Sequence, residues 1–118
     1  MKKSRILSFA AALALFSGIV HAHTHLEKAM PADNSVLASS PSELMLHFSE
    51  ATRLTALSIQ KEGESESTNI SALPKDSSQA LTIPLNPLAP GKYLVKWRAL
   101  GADKHVMSGT LHFTVTGK

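Results

Sequence analysis

The chain has 118 residues, a net charge of +3 (12 Lys and Arg against 9 Asp and Glu) and no cysteine. The length allows one domain with a small core. The absence of cysteine excludes disulfides, thiolate nucleophiles, thiolate metal sites and a cysteine-linked lipid anchor.

Residues 1–22 read as a secretory signal peptide. Lys2, Lys3 and Arg5 precede an apolar run over 6–20, and Val20-His21-Ala22 has the small-residue pattern of a cleavage site. The run is too short to span the roughly 30 Å core of a bilayer at about 1.5 Å per residue. Cleavage after Ala22 makes His23 the first residue of a single domain over 23–118. It also removes three cations and no acid, so the remainder is balanced in charge and offers no argument for nucleic acid or an anionic membrane.

The rest of the chain alternates with a period of two. Segment 43–49 sets Leu44, Leu46 and Phe48 against Met45 and His47. Segment 54–60 places Leu57 and Ile59 on one face but alternates less cleanly. A short strand is expected at 80–84. Tyr93, Val95 and Trp97 then oppose Leu94, Lys96 and Arg98, and Leu111, Phe113 and Val115 oppose His112, Thr114 and Thr116. Turns are expected at Pro31 with Asp33-Asn34-Ser35, at Ser39-Ser40-Pro41 and around Pro87, Pro90 and Gly91, and an exposed loop over 62–69. The fold class predicted is all-β: a single antiparallel, immunoglobulin-like β-sandwich or Greek-key barrel.

Five histidines follow the signal segment. His47 and His112 read as half-exposed strand residues. His105 lies in Gly101-Ala-Asp103-Lys-His105 between two strong strands. In an extended segment Asp103 and His105 would point to one side and could meet on one ion, or the carboxylate could orient the imidazole. The expected terminus His23-Thr24-His25 supplies a free amine and two imidazoles, donors that suit Cu(II). Two arrangements compete. In a peptide mode the amine, two deprotonated amides and the His25 ring form a square-planar set. In a brace the amine and ring of His23 grip the ion, and a histidine from elsewhere completes the site. Thr24 has no evident metal role.

Taken together, His23 after the signal, Pro-Ala-Asp-Asn-Ser at 31–35, Leu-His-Phe-Ser-Glu at 46–50, Pro-Gly-Lys-Tyr-Leu-Val-Lys-Trp-Arg-Ala at 90–99, Asp103-Lys-His105 and Ser-Gly-Thr-Leu-His-Phe-Thr-Val at 108–115 resemble the periplasmic copper-resistance CopC family. The resemblance implies one Cu(II) per chain, held by the amine and ring of His23, by Asp103 and by His105. His25 matches members with a second histidine near the terminus, and it would ligate, lie just outside the ligand set, or bind only when the brace is disrupted. The implied protein is a periplasmic monomer that buffers or carries copper and passes it to an inner-membrane copper transport protein, with no nucleic acid and no membrane insertion. Some members carry a Met-rich loop with a histidine for Cu(I). The corresponding residues here, 61–71, contain neither, and Met30, Met45 and Met107 are scattered in sequence, so a Cu(II)-only protein is expected. The rival reading is a copper-dependent, monooxygenase-like enzyme built on the same brace. It needs an aromatic substrate face, whereas Tyr93 and Trp97 alternate within one strand expected to face the core.

Overall fold

The computed structural model describes residues 24–117; the expected signal peptide and His23 lie outside them. Seven strands run in chain order: β1 Leu26–Met30, β2 Ser35–Leu37, β3 Glu43–Lys61, β4 Thr68–Asn69, β5 Ser78–Pro84, β6 Gly91–Gly101 and β7 Val106–Val115. Among the described residues none is helical, so no helix is long and apolar enough to cross a membrane.

The segments expected at 43–49 and 54–60 are one continuous strand of 19 residues. The first half of β3 lies between β1 and β5, with Leu46 opposite Ala29 on one side and Leu81 on the other. The second half pairs with β6 and, at Ser58 and Ile59, with β4. Thr52 is the crossover, opposite both Ser78 and Gly101 and wholly buried. The strand thus passes from one layer of the sandwich to the other, and one curled sheet forms both layers.

The imperfect alternation over 54–60 has a local cause. A bulge between Leu54 and Ala56 shifts the register with β6, so Leu54 and Leu57 both face inward although they are three positions apart. The exposed loop expected at 62–69 also needs correction, because Thr68–Asn69 forms β4. These two residues are polar and exposed, and no burial pattern marks them in the sequence.

A second correction concerns strand direction. β2 pairs parallel to β7, Ser35 opposite Phe113, so the sheet is not wholly antiparallel. The preceding turn docks it there. The Asp33 carboxylate accepts the His112 amide at 2.8 Å, the Asn34 amide donates to the His112 carbonyl at 2.6 Å, and Asn34 takes a left-handed backbone at φ 67°.

The core contains the inward sets read from the alternation, joined by Leu81 and Ile83 of β5. Leu44, Leu46, Phe48, Leu57, Ile59, Leu81, Ile83, Tyr93, Val95, Trp97, Leu111, Phe113 and Val115 form one buried cluster with Leu54 and Ala99. Each such large side chain contributes about 1.5–3 kcal/mol on burial, which is how a domain without cross-links holds together. Phe48 meets Trp97 edge to face at 5.4 Å, joining the two halves, and Tyr93 stacks on Phe113 at 5.6 Å. The Tyr93 hydroxyl donates to the Ala89 carbonyl at 2.6 Å. The Trp97 indole lies on Gly109, its partner in β7, so closely that a methyl group there would come within 2.5 Å of the ring.

Candidate metal centre

The strands β6 and β7 are joined by a tight hairpin. The Lys104 amide donates to the Gly101 carbonyl at 2.9 Å, and the Gly101 amide donates to the His105 carbonyl at 3.0 Å. Lys104 supplies the left-handed residue that closes such a loop, at φ 69°. This turn brings Asp103 and His105 together. One carboxylate oxygen accepts the His105 amide at 3.1 Å, and the other lies 3.3 Å from His105 Nδ1. The expectation that the two residues converge is met, but by a reversal of the chain rather than by an extended segment. The His105 amide is the main reason the Asp103 carboxyl titrates below its ordinary value of 3.8; desolvation is the next-largest influence and opposes it, and the hydrogen bond and charge of the His105 ring add further lowering. Asp103 is therefore an anion across the neutral range, and the His105 side chain beside it is 71% exposed.

The start of the described chain packs on this hairpin. Thr24 is buried at 5% exposure, and its hydroxyl has no hydrogen-bond partner. A methyl group on Gly101 would lie 2.9 Å from an Asp103 carboxylate oxygen, 3.1 Å from Thr24 Cβ and 3.2 Å from Thr24 Oγ1. Gly101 is the notch into which both Thr24 and Asp103 fit. Thr24 gave no functional signal in the sequence, because a threonine between two histidines is unremarkable until its neighbour across the fold is known.

His25 is fixed through its backbone. Its amide donates to Ser49 Oγ at 3.0 Å, and its carbonyl accepts the Ser49 amide at 2.9 Å. Its ring Nε2 stands 3.9 Å from Glu27, whose other carboxylate oxygen is 3.8 Å from His47 Nδ1. Ser49 is a second contributor that the sequence did not single out. Among the described residues, no group of three or more His, Asp or Glu side chains is placed so that it could hold a metal ion. The methionines are less dispersed than their spacing suggested: Met30 and Met45 are direct partners across β1 and β3.

The family model described as the CopC domain matches residues 26–116. The chain belongs to the CopC family. Protein YobA of Escherichia coli K12 is 32% identical over 120 residues, covering 95% of this chain and 96% of YobA. Copper resistance protein C of Escherichia coli is 30% identical, covering 80% of this chain and 82% of that protein. Among solved structures, CopC from Methylosinus trichosporium OB3b superposes with a TM-score of 0.62 at 29% identity, over 80% of this chain and 94% of its own. The all-β sandwich is thus the CopC fold, and the hairpin carrying Asp103 and His105 lies within the matched domain.

Proposed function

We propose that the chain is exported, loses residues 1–22, and binds one Cu(II) in the periplasm through the amine and ring of His23, the Asp103 carboxylate and the His105 imidazole. The observation that carries this reading is the seating of Thr24 on Gly101 beside Asp103. His23 directly precedes Thr24 in the sequence, so cleavage after Ala22 would create the new terminus one residue from this contact. The donor set of nitrogen with one ionised carboxylate suits Cu(II).

The brace is favoured over the peptide mode because the latter must deprotonate the His25 amide. That amide already donates to Ser49, and removing its proton would break the anchor that holds the terminus on β3. His25 is then auxiliary.

A copper carrier or buffer, handing its ion to an inner-membrane copper transport protein, is the role this site supports. Relatives named for copper resistance point the same way. The enzyme reading lacks its substrate platform, since Tyr93 and Trp97 are 6% and 7% exposed and belong to the core. Purification from the periplasm, with mass spectrometry for the terminus and EPR for the metal, tests the proposal. A chain starting at His23 with one type of Cu(II) signal supports it; an uncleaved chain that binds copper equally well overturns it.

A further inference from the structure

Charge is balanced over the domain but not over its surface. The second layer is built from β3 beyond the crossover, β6 and β7. Its outward residues on β6 are Lys92, Leu94, Lys96, Arg98 and Leu100, and Arg53 of β3 stands opposite Leu100. The four cations of this set are exposed. Among the described residues, the ion pairs are contacts between a histidine and a carboxylate, and none of these four cations takes part in one. Residues 51–60, β6 and β7 contain no Asp or Glu. Acids meet the face at its far end: Asp33 beside His112, and Glu62, whose amide donates to the Lys92 carbonyl at 2.7 Å. At the near end lies the β6–β7 hairpin, where Asp103 is engaged with His105. An apolar pair sits there too, the half-buried Leu100 opposite Val106, which is 68% exposed.

We infer that this face rests on the anionic headgroups of a bilayer surface, a peripheral contact that holds the Asp103–His105 hairpin at the membrane. The complement to unpaired cations on one open face is a sheet of negative charge, and each cation near such a surface contributes roughly a fivefold factor in affinity. The long stems of lysine and arginine lie along the surface while their charged heads reach the phosphates. Leu100 and Val106 add a shallow apolar contact at the same end. An acidic protein is the less favoured occupant. Protein interfaces centre on large anchors, aromatic ones above all, and the aromatic rings of β6 and β7, Tyr93, Trp97 and Phe113, all face the core. The inference rests on the exported copper-carrier reading for the place of the contact: a carrier held at the membrane surface meets a membrane-bound receiver by sliding along it. The contact itself does not depend on copper.

The test is sedimentation of the metal-free chain, with its authentic His23 terminus, alongside lipid vesicles. Vesicles of phosphatidylethanolamine and phosphatidylglycerol should bind it, and vesicles of phosphatidylcholine should not. Binding should fall at least tenfold between about 0.05 and 0.3 M salt. The Lys96→Gln, Arg98→Gln double variant should bind the anionic vesicles at least tenfold more weakly, with unchanged melting temperature and Cu(II) affinity. Lys28→Gln, on β1 in the other layer, should bind them as wild type does. No binding to anionic vesicles, or equal losses in the two variants, overturns the inference. So does a preference for polyglutamate over vesicles that the double variant abolishes, which would assign the face to an acidic protein. A chain that binds copper but not vesicles defeats this inference alone, and one that binds vesicles but not copper defeats the carrier reading alone.

Discussion

Thr24 and Gly101 touch so closely that a single added methyl group would lie 3.1 Å from the threonine Cβ. The contact joins the start of the domain to the hairpin between its last two strands, although 77 positions separate the two residues in the sequence.

Gly101→Ala tests that contact. The new methyl must displace Asp103 or Thr24, because the first lies 2.9 Å away and the second is buried. Overpacking of this kind costs about 1–3 kcal/mol. The variant should fold, melt several degrees lower and bind Cu(II) at least tenfold more weakly. Wild-type copper affinity in a folded Gly101→Ala protein, measured by competition with a chelator, would mean that the notch does not position the site.

Leaving a methionine or tag residue before His23 removes the α-amine from the ligand set. Affinity for Cu(II) should fall by 100-fold or more while the melting temperature of the metal-free protein stays the same. Equal affinities for blocked and authentic termini would rule out the brace.

His105→Ala should change the Cu(II) EPR spectrum and lower the affinity strongly, and His25→Ala should act only mildly on either. The reverse ranking would show that the terminus binds as a free peptide, with the Ser49 anchor released.

The pH dependence separates the nitrogen donors from the carboxylate. Asp103 titrates below its ordinary value, so its contribution is complete above pH 3.8 and is lost only as pH falls through the lowered value. Between pH 8 and 5 it stays ionised. Imidazole and α-amine groups as a class take up protons between about 6 and 8, so protons displace the metal from them first. Copper affinity should fall by at least about 100-fold between pH 7 and 5. Asp103→Asn should lower the whole curve and preserve its slope. A flat profile would contradict nitrogen ligation.

Cu(I) gives a further check. Residues 61–71 contain no methionine or histidine, so a tight stoichiometric Cu(I) site should be missing when a Cu(I) chelator competes. Tight Cu(I) binding that disappears in Met30→Ala or Met45→Ala would instead assign it to the thioether pair across β1 and β3.

Much of the fold is legible because burial writes a period of two into the chain. The inward sets Leu44-Leu46-Phe48, Tyr93-Val95-Trp97 and Leu111-Phe113-Val115 are all in the core. The joining of two expected segments into β3 is not legible. Its crossover, Glu50-Ala51-Thr52-Arg53, carries no apolar alternation and is held by the backbone pairing of Thr52 to both neighbours. β1 hides for a similar reason, since its bulge breaks the period. At the site, the Asp103–His105 pair was visible, but its geometry depends on a left-handed Lys104, and lysine gives no sequence sign of that conformation. Thr24 and Ser49 act through neighbours distant in sequence, and a pattern read along the chain cannot show them.

The seating of Thr24 on Gly101 also bears on how the domain is held closed. With no cysteine, the chain has no permanent bond between its ends. A metal bridging His23 to Asp103 and His105 would close a loop of about 80 residues, a span over which a covalent link is worth roughly 4 kcal/mol. Copper would then act as a reversible clasp: the loaded domain is locked and slow to open, and release of the ion leaves its first strand free to loosen from the rest.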